Sequence, residues 1–122
     1  MKVILLSGSP KSEGNTMQVL ESCRKVIENE GLEAKVLSLS GKKIEGCIAC
    51  NYCKSHNGCS LQDDFQTIVE EIRDADGFII GSPVYFGTAR GEVMSFLQRL
   101  GMVSKSNGLF LENMVGGPIV VA

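Results

Sequence analysis

The chain has 122 residues, 43% of them hydrophobic and 21% charged, which is the composition of one folded globular domain. Its 12 Lys and Arg residues are balanced by 14 Asp and Glu residues, so the net charge is −2 and no basic patch indicates nucleic acid. The apolar run Val3–Leu6 is too short for a signal peptide or for the roughly 20 residues that span a bilayer. We therefore expect a cytoplasmic protein with reduced cysteines and no membrane partner.

Strand-like and helix-like segments alternate along the chain. The run Val3–Leu6, bounded by Gly and Pro, is typical of a strand buried on both faces of a parallel sheet. Apolar residues at helical spacing predict the helices. In chain order, the predicted elements are a strand at Val3–Leu6, a helix at Thr16–Asn29, a strand at Ala34–Leu39, a helix from Asp63 to about Asp74, a strand at Gly77–Ile80, a helix at about Ala89–Leu100, a loop at Ser104–Asn113 and a strand at Val115–Ala122.

This order predicts an α/β fold with a doubly wound parallel sheet. Strands that alternate with helices form right-handed βαβ crossovers, which place helices on both faces of the sheet. We interpret residues 1–122 as a single domain that carries a cysteine-rich loop at residues 46–60. Asp63 and Asp64 are interpreted as the cap of the second helix.

The segment Ser7–Thr16 follows the first strand and leads into the first helix. Ligands bind at the carboxyl ends of the strands in such sheets, and a helix N-terminus offers unpaired N–H groups to an anion. Short polar side chains and one positive charge add to this phosphate cradle, at Ser9, Lys11, Ser12, Asn15 and Thr16. The segment matches neither the Walker A pattern nor G-x-G-x-x-G, so an ordinary strand–helix turn is the alternative.

A second loop follows the third strand, which should neighbour the first strand at the point where the strand order reverses. Its proline-rigidified, aromatic sequence would suit the flat ring of a phosphorylated ligand. Its residues are Ser82, Pro83, Val84, Tyr85, Phe86 and Gly87. Packing in the core or at a subunit interface is the alternative for the aromatic side chains.

Four of the five cysteines lie in one short segment, with the pattern C-x2-C-x2-C-x5-C. They are Cys47, Cys50, Cys53 and Cys59. Two tandem C-x-x-C steps suit an iron–sulfur cluster, because a tight loop can present three thiolates and a fourth closes the cage. A zinc site of four thiolates, or of three thiolates and His56, would also suit these residue types. Disulfides and a C-x-x-C redox dithiol remain further alternatives.

Three motifs in this order give the chain a family resemblance over nearly its whole length. Ser-Gly-Ser-Pro opens the first loop, the cysteine motif leads into Asp63-Asp64, and Gly-Ser-Pro-Val-Tyr-Phe ends the third strand. Together they resemble the iron–sulfur flavoproteins, a branch of the NADPH-dependent FMN reductase group with a flavodoxin-like fold.

The resemblance implies two cofactors, FMN and a [4Fe–4S] cluster. It implies that the FMN phosphate is held by Ser9, Lys11, Asn15 and Thr16, that the isoalloxazine ring is lined by Pro83, Val84, Tyr85, Phe86 and Gly87, and that the cluster is held by Cys47, Cys50, Cys53 and Cys59. Family members pass electrons between cluster and FMN, usually as dimers or tetramers, with a redox partner such as ferredoxin or NAD(P)H. The alternatives are a cluster-free NAD(P)H-dependent FMN or quinone reductase, and a flavodoxin-like module that binds a metal or a partner without flavin.

One departure from the family pattern concerns the end of the sequence. The chain stops at Ala122, in the fourth predicted strand, whereas relatives continue into a further loop, strand and helix. We expect an incomplete domain, truncated after its fourth strand, and weakened FMN binding unless another segment or subunit supplies the rest. A tight, stoichiometric flavin complex of the monomeric 122-residue chain would refute that expectation.

Overall fold

A computed structural model describes residues 1–122 as strands and helices in regular alternation. The elements are β1 at Lys2–Ser7, α1 at Asn15–Asn29, β2 at Glu33–Ser38, α2 at Phe65–Arg73, β3 at Gly77–Tyr85, β4 at Thr88–Ala89, α3 at Gly91–Ser106 and β5 at Val115–Val121. A single short 3₁₀ turn, Tyr52–Lys54, lies within the long segment between β2 and α2.

The four longer strands form a parallel sheet in the order β2-β1-β3-β5. Leu5 of β1 is paired with Val36 of β2 on one side and with Ile79 of β3 on the other. The predicted parallel α/β sheet is therefore confirmed, and the carboxyl ends of β1, β3 and β5 meet at one edge. That edge carries the two predicted ligand loops.

Side chains of β1 point alternately to the two faces of the sheet and contribute to the hydrophobic core on both faces. Ile4 and Leu6 are fully buried and belong to the cluster formed with α2 and α3, including Phe65 and Phe96. Leu5 is equally buried but points to the opposite face, because successive side chains of a strand alternate. On that face α1 contacts β1, β2 and β3. None of the helices is both long and apolar enough to span a bilayer.

The third strand is longer than the sequence predicts. The sequence predicts a strand that ends at Ile80 and a loop at residues 81–87, but β3 continues to Tyr85. Its residues up to Pro83 pair with β5, and Val84 and Tyr85 pair with Ala89 and Thr88 in an antiparallel hairpin. The turn is made by Phe86 and Gly87, which have positive φ angles of 49° and 79°. The loop prediction is wrong for residues 81–85 because these pairings form only in the folded chain, and the Gly-Ser-Pro sequence gives little strand signal.

The third helix also differs from its predicted bounds. It begins at Gly91 and ends at Ser106, rather than spanning Ala89–Leu100. Val103 and Ser104 are buried, so tertiary packing extends the helix through residues whose composition favours a loop.

Candidate functional site

A groove of about 350 Å³ lies at the carboxyl ends of β1, β3 and β5, a size typical of ligand pockets. It brings the two predicted ligand loops together. It is lined by Ser9, Lys11, Glu13, Gly14, Asn15, Thr16, Gln18, Pro83, Val84, Tyr85, Val121 and Ala122. The four residues that the resemblance assigns to the FMN phosphate line it, and so do three of the five predicted ring residues, whereas Ser12 of the predicted phosphate cradle lies outside it. Phe86 and Gly87 lie outside it, and the Phe86 side chain is fully exposed on the hairpin turn.

The first loop is tied tightly to the neighbouring strand and helix. The Gly8 N–H donates to the Gly81 carbonyl at 2.7 Å. A Cβ atom at Gly8 would lie 2.1 Å from Cγ2 of Val93, so only glycine allows this close approach to α3. The Ser40 hydroxyl donates to the Pro10 carbonyl at 2.9 Å, and the loop is therefore fixed from both sides.

The start of α1 is free to receive an anion. Gly14 occupies its N-cap position, so no side chain caps the first N–H groups, and no acidic residue lies in the first turn. Thr16 and Ser9 are buried beside it, and the Ser9 hydroxyl accepts a hydrogen bond from the Lys11 N–H at 3.1 Å. These donors and the Lys11 charge could hold a phosphate.

Arg90 is a residue of this edge that the sequence reasoning missed. Its Nη1 donates to the Gly8 carbonyl at 3.1 Å, and its backbone N–H donates to the Ser82 hydroxyl at 3.1 Å. Arg90 thus braces the first loop against the end of β3. No sequence motif identifies Arg90. The one sequence feature that could have drawn attention to it is an arginine directly before the start of α3.

All four cysteines of the motif line one cavity beside α3. Its wall is completed mainly by apolar side chains, among them Ile48, Leu61, Met102 and Val103, and by Arg99. No three His, Cys, Asp or Glu side chains converge closely enough to ligate one metal ion. In a [4Fe–4S] cluster each thiolate binds a different iron atom, so the donor set of four thiols around one cavity fits such a cluster. The free space is small, about 30 Å³, so the exposed, irregular segment that carries Cys47 and Cys50 must move outward to admit one.

Cys50 is the thiol whose ionisation is most clearly shifted. Its Sγ lies 3.1 Å from the Ser60 hydroxyl. This hydrogen bond, together with the Tyr52 backbone, lowers the pKa of Cys50 below its ordinary value. The thiolate is the form that binds metals.

Asp63 departs from its predicted role as a simple helix cap. Its carboxylate accepts from Arg99 at 2.7 and 3.0 Å, from the Glu45 N–H at 2.8 Å and from the Phe65 N–H at 3.2 Å. Asp64 instead accepts from the Lys43 N–H at 2.6 Å, so the only side-chain cap of α2 is the bond from the Phe65 N–H to Asp63. Burial alone would raise the pKa of Asp63, but the hydrogen bonds from Arg99 and from the two backbone N–H groups hold this pKa below its usual value.

Arg99 is the second residue that the sequence reasoning missed. Its side chain is only 1% exposed and lies 4.2 Å above the ring of Phe65. Its Nη2 donates to Cys59 Sγ at 3.4 Å, and Nη1 donates to the Glu45 carbonyl at 3.0 Å. The sequence feature that could have identified Arg99 is its position on the apolar face of α3, between Phe96 and Val103, where a charged residue is unexpected.

Asn107, at the end of α3, fixes the middle of the cysteine loop. Its Nδ2 donates to the carbonyls of Cys53 and His56 at 2.9 and 3.1 Å, and its Oδ1 accepts from the Gly58 N–H at 2.7 Å. His56 is exposed and stacks on Tyr52, with ring centroids 4.0 Å apart. One helix therefore holds the loop at two points, Arg99 and Asn107.

A family model described as NADPH-dependent FMN reductase matches residues 1–122. The chain belongs to this family. The resemblance to its iron–sulfur branch is also confirmed, because several curated relatives carry the name iron–sulfur flavoprotein. One from Methanocaldococcus jannaschii is 40% identical over 99% of this chain and 62% of its own length. One from Methanosarcina thermophila is 30% identical over 99% of this chain and 63% of its own length.

Solved structures support the flavodoxin-like fold of this FMN reductase family member. RosB with a bound riboflavin phosphate intermediate has a TM-score of 0.80 at 22% identity, over 98% of this chain and 51% of that one. An NAD(P)H:quinone oxidoreductase from Methanothermobacter marburgensis has a TM-score of 0.66 at 19% identity, over 82% of this chain and 53% of that one. The chain thus spans about three fifths or less of the proteins named here, and the expectation of an incomplete domain stays a prediction.

Proposed function

We propose that the chain belongs to an electron-transfer flavoprotein that binds FMN in the groove and a [4Fe–4S] cluster at the cysteine loop. The observation that carries this proposal is the convergence of all four motif cysteines on one cavity, in a chain of the FMN reductase family. The names of the curated relatives support the same pairing.

In this proposal the two ligand loops bind and orient FMN. Lys11, Thr16 and the uncapped N-terminus of α1 hold the phosphate, and Ser9 and Asn15 complete the donor set. Pro83, Val84 and Tyr85 orient the ring and exclude water from one of its sides. Bound FMN supplies a group that accepts one or two electrons.

The cysteine loop would hold the cluster through Cys47, Cys50, Cys53 and Cys59. The cluster supplies one-electron chemistry at this position, and its potential depends on hydrogen bonds to sulfur and on burial. The surrounding apolar residues Ile48, Met102 and Val103 limit the access of water to the sulfurs.

The electron donor and the assembly are further parts of the proposal. Reduced ferredoxin or NAD(P)H would supply electrons, and two or four copies would assemble in the cytoplasm. The family description and the quinone oxidoreductase fold support a nicotinamide donor most directly.

A cluster-free FMN or quinone reductase is the second candidate. It is favoured by the small volume among the thiols and by the absence of any set of three side chains placed to ligate one ion. In that function the groove alone would act, and the cysteine loop would be structural.

A pair of cysteine variants tests the proposal. Cys59→Ser should remove the visible absorption and the iron of the cluster but keep FMN. The matched control Cys23→Ser, in α1 and outside the cysteine cavity, should keep both. Equal iron contents in Cys59→Ser, Cys23→Ser and the unaltered protein would exclude the cysteine loop as the cluster site.

A second experiment tests the electron donor. Reduced ferredoxin and NADPH are added separately to the unaltered protein without air, and at least one of them should bleach the absorption of both the flavin and the cluster.

A further inference from the structure

Arg99 presents an unused hydrogen-bonding edge inside the wall of the cysteine cavity. A guanidinium is planar and carries five N–H donors in a fixed fork. The Nη1–Nη2 end is taken up by Asp63, with bonds of 2.7 and 3.0 Å. The buried Nε has no hydrogen-bond partner.

The direction of this free donor follows from the geometry of the fork. The Nε–H and one N–H of Nη2 lie in the plane of the guanidinium and point in parallel from the same edge. Since Nη2 donates to Cys59 Sγ at 3.4 Å as well as to Asp63, its second hydrogen lies on the Nε side. The unpaired Nε–H therefore runs alongside the bond to Cys59. A buried donor without an acceptor is costly, and an acceptor next to Cys59 would remove that cost.

We propose that Arg99 is a positioning residue of the four-cysteine site, which directs its Nε–Nη2 edge at the sulfur atoms and raises the reduction potential of the cluster bound there. The inference rests on the proposed cluster. An added electron increases the negative charge on the sulfurs, so N–H donors and a positive charge stabilise the reduced form more than the oxidised form. Asp63 keeps the guanidinium in place by accepting from its Nη1–Nη2 end, which leaves the neighbouring Nε–Nη2 edge for the sulfur atoms.

The test compares variants of equal net charge. Arg99→Lys keeps the positive charge but removes the planar edge. The double variant Arg99→Gln with Asp63→Asn replaces the ion pair by two neutral amides, which avoids leaving a buried carboxylate unpaired. Each protein is loaded with iron and sulfide without air, and the potential of the cluster is measured by redox titration with low-temperature electron paramagnetic resonance. We expect the potential to fall in Arg99→Lys and to fall further in the double variant.

Two other variants separate this role from a structural one. Arg73 also has a buried, unpaired Nε, but it lies 4.5 Å from the Phe110 ring centroid and does not line the cysteine cavity. Arg73→Lys should leave the potential unchanged. Asn107→Ala loosens the cysteine loop without removing a hydrogen bond to sulfur, so it should lower the iron content while leaving the potential of the retained cluster unchanged.

The outcomes distinguish this inference from the proposed function. Unaltered protein without acid-labile sulfide would refute the proposed cluster, and the role of Arg99 with it. Full iron and sulfide content in Arg99→Lys and in the double variant, with potentials equal to that of the unaltered protein, would overturn the role of Arg99 alone. Loss of the cluster from an Arg99→Lys protein with an unchanged circular dichroism spectrum would also overturn it, because Arg99 would then be needed for assembly.

Discussion

Lys11 and Glu13 are two exposed side chains of opposite charge on the same side of the groove. A phosphate monoester carries a charge of about −1.5 to −2, so the two residues should act on its binding in opposite directions. Solvent and salt screen both, which limits each effect to roughly 1 kcal/mol.

We predict that Lys11→Gln weakens FMN binding about 2- to 5-fold and that Glu13→Gln strengthens it by a similar factor. Quenching of flavin fluorescence at two salt concentrations measures both constants, and both effects should shrink at the higher concentration. Equal weakening by the two changes would show that the phosphate does not lie near this loop.

The buried pair of Asp63 and Arg99 makes stability depend on pH. The hydrogen bonds to Asp63 hold its folded-state pKa below the ordinary value of about 3.9. The pair therefore stabilises the folded protein fully above about pH 4, and this contribution is lost as the pH falls through the folded-state pKa.

Asp63→Asn should lower the free energy of unfolding by about 3–5 kcal/mol at pH 7, because it leaves the charge of Arg99 buried without its counter-charge. The difference from the unaltered protein should narrow below about pH 4. Urea denaturation of the metal-free protein between pH 3 and pH 7 measures it, and the exposed Asp74→Asn is the control. A difference that stays constant down to the lowest pH would contradict this linkage.

Close packing of the first loop against α3 leaves no room for a side chain at Gly8. Gly8 lies where any Cβ would meet the buried Val93. Gly101 lies inside α3, and a Cβ added there would have no neighbouring atom within 4 Å. The two glycines therefore differ in whether the fold leaves room for a side chain.

Gly8→Ala should lower the free energy of unfolding by about 1–3 kcal/mol, because Val93 and the loop must shift. Gly101→Ala should raise it by roughly 0.5–1 kcal/mol, because alanine restricts the unfolded chain and favours helix. Thermal or urea unfolding measures both. A neutral Gly8→Ala would show that the loop yields easily, against the tight contact described here.

The elements that could be predicted from the sequence are those with a strong local signal. The run Val3–Leu6 and the periodic apolar residues of α1 and α2 place their elements within two residues of the observed bounds. Two features could not be predicted from the sequence. The hairpin at Tyr85 depends on pairing with Thr88, and the last turns of α3 depend on burial of Val103. Those interactions exist only in the folded chain.

The same distinction holds for the candidate site. The cysteine spacing and the first loop identify residues that the fold brings to one cavity and one groove. Arg99, Asn107 and Arg90 escape prediction, because each acts through contacts with residues far away in the sequence. Their roles require the tertiary structure.

The open edge of the sheet affects the molecule as a whole. Among residues 1–122, β5 pairs only with β3, so in this chain its outer edge carries unpaired backbone groups, and Val120 on this strand is 72% exposed. Such an edge favours pairing with a second copy of the chain.

We predict that the chain associates with itself as its concentration rises and that Val120→Lys lowers this association, because a charge on an edge strand opposes pairing. Val26→Lys is the control, since Val26 is 63% exposed but lies on α1. Sedimentation velocity over a concentration series measures the association. An equal effect of both substitutions would place the contact elsewhere.

The proposed pair of cofactors is tested most simply by the content of FMN, iron, acid-labile sulfide and zinc per chain, after purification without air. Four thiolates can hold one [4Fe–4S] unit, so we expect about four iron and four sulfide per chain, together with FMN. Zinc without sulfide would contradict the proposed cluster and leave the cysteine loop with a structural role.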